Sequence, residues 1–160
     1  MSTVSTLTGV PGMLRPFKEY LAGKKLPEGS QIVYYGCSGT CTPFVELLSY
    51  ATRDLGLTNV FVPLLNEAEA HSLHPVSGIG MQVGEEIEVD PGIIIMMGGL
   101  AMPGVPVTAE EAAAVISRHG VPAAGVCFMS MFEKSGWLDQ VDFELLIDAT
   151  INPVTITKKV

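Results

Sequence analysis

Apolar and polar positions alternate between two periods along this chain, and the switches mark its elements. In GMLRPFKEYLAG, residues 12–23, the positions Met13, Leu14, Phe17, Tyr20 and Leu21 recur at helical spacing, and Gly23 closes the run. QIVYYG, 31–36, is a short, nearly continuous apolar stretch, the pattern of a strand buried on both faces. From 43 to about 55 the helical period returns on Phe44, Leu47, Leu48, Ala51 and Leu55. Pro43 suits the first helical position, Thr42 the cap, and Gly56 the stop. NVFVPLL, 59–65, reads as a second strand, placed at an edge because Pro63 cannot donate to a ladder.

Residues 66–91 carry neither period for long. A helical turn is expected near 68–73, a small antiparallel pair from MQV and EIEV around Gly84, and a turn at Asp90-Pro91-Gly92. The segment exceeds what a plain crossover needs, so it is an irregular insertion. GIIIMMGG, 92–99, is a central strand. Thr108 and Glu111 form the capping-box pattern of a helix ending at Gly120. AAGVCFMSMF, 123–132, and DFELLIDATI, 142–151, are further strands, with one helical turn between them. VTIT, 154–157, is a candidate edge strand.

Strands alternating with helices predict a single α/β domain over residues 1–160. Its expected form is a three-layer, open, mostly parallel sheet of about five strands, flavodoxin-like or Rossmann-like, in the order 2-1-3-4-5. That order sets the loops after residues 36 and 97 side by side at the carboxyl ends of the strands, where ligands of such sheets bind.

Composition narrows the function classes. Apolar residues make up 48% and charged residues 16% of 160, a surplus of core material that suits a homo-oligomer. Net charge is −8 with nine scattered Lys and Arg, so the basic footprint of a nucleic-acid binder is missing and an acidic membrane surface is disfavoured. No run has the length of a membrane span, and the first residues lack the pattern of a signal peptide, so a cytoplasmic protein is expected. Three cysteines do not make a disulfide framework in such a compartment. Cys127 sits in an apolar run and reads as a core thiol.

The candidate chemistry lies in YGCSGTCTPF, 35–44. An anion at a helix start needs free backbone N–H groups, room and hydroxyl donors. Ser38, Gly39, Thr40 and Thr42 supply these, while Gly98 and Gly99 let the second loop approach. Cys37 and Cys41 offer a different chemistry. A thiol near a helix start has its thiolate stabilised, so Cys41 is the candidate nucleophile and Cys37 its resolving partner. A three-thiol cluster would need Cys127 at the same mouth, and the spacing fits no common ferredoxin pattern. His71 and His74 would share a helical face, with Glu67 four residues before, but no further ligand stands at zinc spacing, and no metal site is assigned. His119 complements a helix C-terminus. Asp148, Glu133 and Lys134 belong to the rim.

YGCSGTCTPF is similar to the phosphate loop of flavodoxins, a Ser/Thr-rich stretch between the first strand and a helix. The resemblance implies a phosphorylated ligand, FMN or a nucleotide, held by Ser38, Thr40 and Thr42. The GGLAMPGVP loop, 98–106, offers no Trp or Tyr to stack on a flavin ring. In length, the GCSGTC loop and the GG-x-x-M-P loop, the whole chain resembles a family of small archaeal α/β proteins known mainly from methanogens. That resemblance implies the fold and a cytoplasmic location, and no reaction. Three expectations follow: binding of a small anionic or phosphorylated molecule at the mouth, thiol redox chemistry at Cys37 and Cys41, or non-catalytic assembly as a homodimer.

Overall fold

The computed structural model describes residues 1–159. Helix α1 spans Gly9–Lys24, β1 Gln31–Gly36, α2 Thr42–Ala51, β2 Thr58–Pro63, β3 His71–Val76, β4 Gly80–Glu86 and β5 Pro91–Met97. After these come α3 Ala109–His119, β6 Ala123–Phe128, the single turn α4 Met131–Lys134 and β7 Leu145–Ala149. No helix among the described residues is long and apolar enough to cross a membrane.

The sheet has seven strands in the order β4-β3-β2-β1-β5-β6-β7, which replaces the expected five strands and 2-1-3-4-5 order. Residues 66–91 account for the change. They are not an irregular insertion: β3 and β4 form a hairpin that extends the sheet, β3 pairing antiparallel with β2. The turn expected near 68–73 shrinks to a 3-10 turn at Glu67–Glu69, and His71 already lies in a strand. The pair expected around Gly84 does not form, because β4 runs through that glycine. A Cβ at Gly84 would stand 2.7 Å from the His74 ring.

Pro63 is not on an edge strand. It occupies the last position of β2, opposite Gly36, while the β2–β3 ladder stops at Phe61. Its missing N–H therefore costs no ladder bond. At the other side, VTIT adds no strand, and residues 150–159 are exposed. β6 ends at Phe128 rather than 132 because Met129 and Ser130 take left-handed conformations, φ 57° and 59°.

Alternation along the central strands sorts the core into two layers. Ile32, Tyr34, Ile93, Ile95 and Met97 face Phe17 and Leu21 of α1 and Val45 and Leu48 of α2. Val33, Tyr35, Ile94 and Met96 face Ala112 and Val115 of α3, together with Phe132, Trp137 and Phe143. Both sides of β1 and β5 are buried, as their unbroken apolar runs require.

The capping box of α3 is present. Thr108 Oγ1 accepts from Glu111 N at 3.2 Å, and Glu111 Oε2 accepts from Thr108 N at 2.8 Å. Thr108→Ala is expected to cost about 1 kcal/mol, a drop of roughly 2–4 °C in Tm by differential scanning calorimetry.

Candidate functional site

β1 and β5 are adjacent, so the loops leaving their carboxyl ends meet. The contact is tight. A Cβ at Gly99 would lie 2.3 Å from Cys41 Sγ, and one at Gly98 would lie 2.4 Å from Cys127 Cβ. Gly36 is tied in as well, since a Cβ there would stand 2.8 Å from Cys41 Cβ. The glycines do not open a cleft. They let three cysteines press against the Gly98-Gly99 turn.

The loop between Gly36 and α2 is wound into a turn, with Cys41 N donating to Cys37 O at 2.9 Å. Cys41 then accepts from Phe44 N and Val45 N through its carbonyl, and starts α2 without a side-chain cap. Thr42 does not cap the helix. Its Oγ1 accepts from Gly39 N at 3.1 Å, across the loop, where Gly39 has φ +80°. Ser38, Gly39 and Thr40 form the exposed tip.

Both sulfurs of the loop lie against Gly99, whose added Cβ would meet Cys41 Sγ at 2.3 Å and Cys37 Sγ at 3.8 Å. The Cys37 thiol donates to Gly99 O at 3.3 Å. Burial pushes the Cys41 thiol up, and the nearby backbone N–H groups of Cys37 and Gly99 pull it back only in part. Burial, then the neighbouring sulfur, also pushes the Cys37 thiol up. Cys41 is 3% exposed, whereas Cys37 is only partly covered. Of the two, the accessible thiol is therefore Cys37.

Cys127 belongs to the opposite layer of the core. Burial raises its thiol to about 11, opposed by the backbone N–H groups of Phe132 and Met131. The Gly98-Gly99 turn separates it from the other two sulfurs. No cluster of three or more metal-binding side chains occurs among the described residues. His71 and His74 lie three apart on β3, hence on opposite faces of a strand, and share no ligand geometry.

Two features of this region join residues far apart in the sequence. The Phe44 and Phe128 rings meet at 4.3 Å between centroids, tilted by 43°. Glu67 gathers a polar knot on the α3 side. Its Oε1 accepts from the Tyr35 hydroxyl at 2.8 Å, from Arg118 at 2.7 Å and pairs with His119 Nε2 at 2.8 Å. Burial alone would raise the Glu67 carboxyl. The hydrogen bonds from His119 and Tyr35 and the charges of His119 and Arg118 outweigh it and hold the carboxyl below its usual range. An open concavity of about 510 Å³ adjoins the knot, lined by Glu67, Ala68, Glu86, Ile87, Glu88 and Val89. Another, of about 250 Å³, lies at the amino ends of β1 and β5, around Gln31 and Pro91. Neither touches the cysteine loop.

A family model described as an uncharacterized protein conserved in archaea, DUF2124, matches residues 8–152. The chain belongs to this family. It is 32% identical over 143 residues to an uncharacterized protein of Methanothermobacter thermautotrophicus, covering 86% of this chain and 92% of that one. It is 34% identical over 148 residues to an uncharacterized protein of Methanocaldococcus jannaschii, covering 89% and 86%. A crystal structure of a protein of unknown function from Methanothermobacter thermautotrophicus superposes with a TM-score of 0.87 at 28% identity, covering 99% of both chains. The family is thus the archaeal one that the whole chain resembles. The likeness of the loop to the flavodoxin phosphate loop gains no support from these relatives.

Proposed function

We propose that this protein is a dithiol redox protein in which Cys37 and Cys41 pass reversibly between two thiols and one disulfide. The observation that carries the reading is the placement of Cys37 and Cys41 across one hydrogen-bonded turn, Cys41 N donating to Cys37 O at 2.9 Å, with both sulfurs against Gly99. The nearby backbone N–H groups of Cys37 and Gly99 favour the Cys41 thiolate as it forms.

The oxidant is a small-molecule disulfide. The Cys37 thiolate attacks one sulfur of it, a mixed disulfide forms, and one thiolate leaves with the electron pair of the broken bond. Cys41 then gives up its proton and attacks Cys37 Sγ. The Cys37–Cys41 bond forms, and the second thiolate leaves. Two protons and two electrons pass from the protein to the two halves of the oxidant. An i to i+4 hydrogen-bonded turn sets the two Cα atoms about 6 Å apart, within the range a disulfide spans.

Because both thiols sit above their ordinary value, attack is slow at neutral pH and speeds up on the alkaline side. Iodoacetamide labelling of Cys37 is expected to rise about tenfold per pH unit from pH 7 towards 9, with Cys41 labelled far more slowly. Incubation of the reduced protein with glutathione disulfide should yield an intramolecular Cys37–Cys41 link by peptide mapping. Cys41→Ser should stop at the mixed disulfide on Cys37. A pair that stays reduced in a buffer poised at about −180 mV, or a mixed disulfide that persists in the unaltered protein, would sink the reading.

A second reading concerns the loop tip. Ser38 and Thr40 are exposed, and their N–H groups meet no protein acceptor among the described residues. They support binding of a small anionic or phosphorylated molecule beside the thiols, with Thr42 and Gly39 already engaged to each other. A thermal-shift series with phosphate, nucleotides and FMN separates the two. A rise in Tm that Ser38→Pro abolishes and Cys37→Ser leaves intact favours the anion.

A further inference from the structure

The two edges of the sheet are not alike. β4 carries Glu85, Glu86 and two glycines, and its pairing with β3 is interrupted by a register shift. Charge and irregularity of that kind keep an edge from recruiting another strand. β7, Leu-Leu-Ile-Asp-Ala, has no glycine and a regular register with β6, and its one charge, Asp148, accepts from Ser130 N at 3.0 Å. It pairs with β6 alone among the described residues, and Leu145, Leu146 and Ile147 are half-buried.

The segment that follows is strand-like in sequence and unused in the single chain. Val154, Thr155, Ile156 and Thr157 are all β-branched. Ile151, Val154 and Ile156 are 61%, 70% and 81% exposed. Lys158 and Lys159 close the segment, while Asp142, three residues before β7, and Asp148, within it, are exposed. Apolar alternation and charge therefore both complement β7.

We propose that the occupant of the β7 edge is residues 154–157 of a second copy of this chain, exchanged reciprocally in a two-fold dimer. In that arrangement two tails lie between the two β7 strands, each against the partner's edge. A tail then sits two strand spacings from its own β7, about 10 Å. The four residues 150–153 span up to about 13 Å when extended, so the connection closes without unfolding β7. Backbone bonds to the edge provide affinity, and Val154 and Ile156 leave water together. Lys158 and Lys159 come to rest near the partner's acidic edge.

Sedimentation equilibrium of the full chain tests this, with Ile156→Lys as the probe. Ile156 is 81% exposed in the single chain, so the substitution leaves the monomer's fold untouched. The unaltered chain should show twice its 17.0 kDa mass. Ile156→Lys should weaken self-association at least about tenfold. Hydrogen exchange at residues 145–149 should slow as protein concentration rises. The proposal is overturned by a monomer at about 0.1 mM. It is equally overturned by a dimer that Ile156→Lys leaves unchanged, or by protection of β7 that does not depend on concentration, the mark of a tail folded on its own edge.

Discussion

Gly98→Ala is expected to destabilise the protein by roughly 3 kcal/mol, read as a lower urea midpoint at constant slope. The added methyl would stand 2.4 Å from Cys127 Cβ and 2.8 Å from its Cα. Neither atom is the end of a flexible side chain. Cys127 lies in β6, held between β5 and β7, so relief requires a central strand to shift. Gly99→Ala is a different case. Its methyl would meet Cys41 Sγ at 2.3 Å, and the next neighbours are at 3.7 and 3.8 Å on Cys37. The clash is with one sulfur, so Cys41→Ala should restore most of the stability that Gly99→Ala removes. No single side-chain truncation should rescue Gly98→Ala, because a backbone atom is in the way. Equal rescue at both positions would contradict this account of the turn.

Glu67→Ala should cost roughly 2–3 kcal/mol at neutral pH, since one carboxylate serves three partners. Tyr35 is fully buried and its hydroxyl would lose its acceptor; His119 is only 17% exposed. Glu67→Gln keeps an acceptor for Tyr35 and should cost less. The sign with pH follows from the carboxyl being held down in the folded state. Its contribution is present above the unfolded value near 4.5 and is lost as pH falls through the lower folded value. Unfolding curves of the native chain and Glu67→Gln should therefore converge once the pH falls below that folded value. A gap that persists at that acidity would mean the packing of residue 67, not its charge, holds the knot.

The knot also marks where reading along the chain runs out. Tyr35, Glu67 and the pair Arg118-His119 are separated by 32, 51 and 52 positions. Nothing local links them. The one sign was a tyrosine in an otherwise apolar strand, whose hydroxyl needed a partner somewhere. The histidine pair of HSLHP failed for a related reason. Spacing of three means one face on a helix and opposite faces on a strand, and pairing with β2 made it a strand. That pairing is long-range and overrides the local pattern.

The cysteine loop was half legible. Small residues after an apolar run located the turn, and the thiols at its ends were visible as candidates. Which thiol meets solvent was not, because Cys41 is covered by Gly99, from a loop far along the chain.

By itself the sequence determined the alternation of helices and strands, the buried central strands, the capping box of α3 and the place of the strand-to-helix turn. Each of these follows from contacts within a few residues, where period, capping and turn chemistry act. Tertiary structure alone decided the β3–β4 hairpin that extends the sheet to seven strands, the burial of Cys41 and the gathering of partners on Glu67. Those depend on which strands lie side by side, a choice made by burying two whole faces at once.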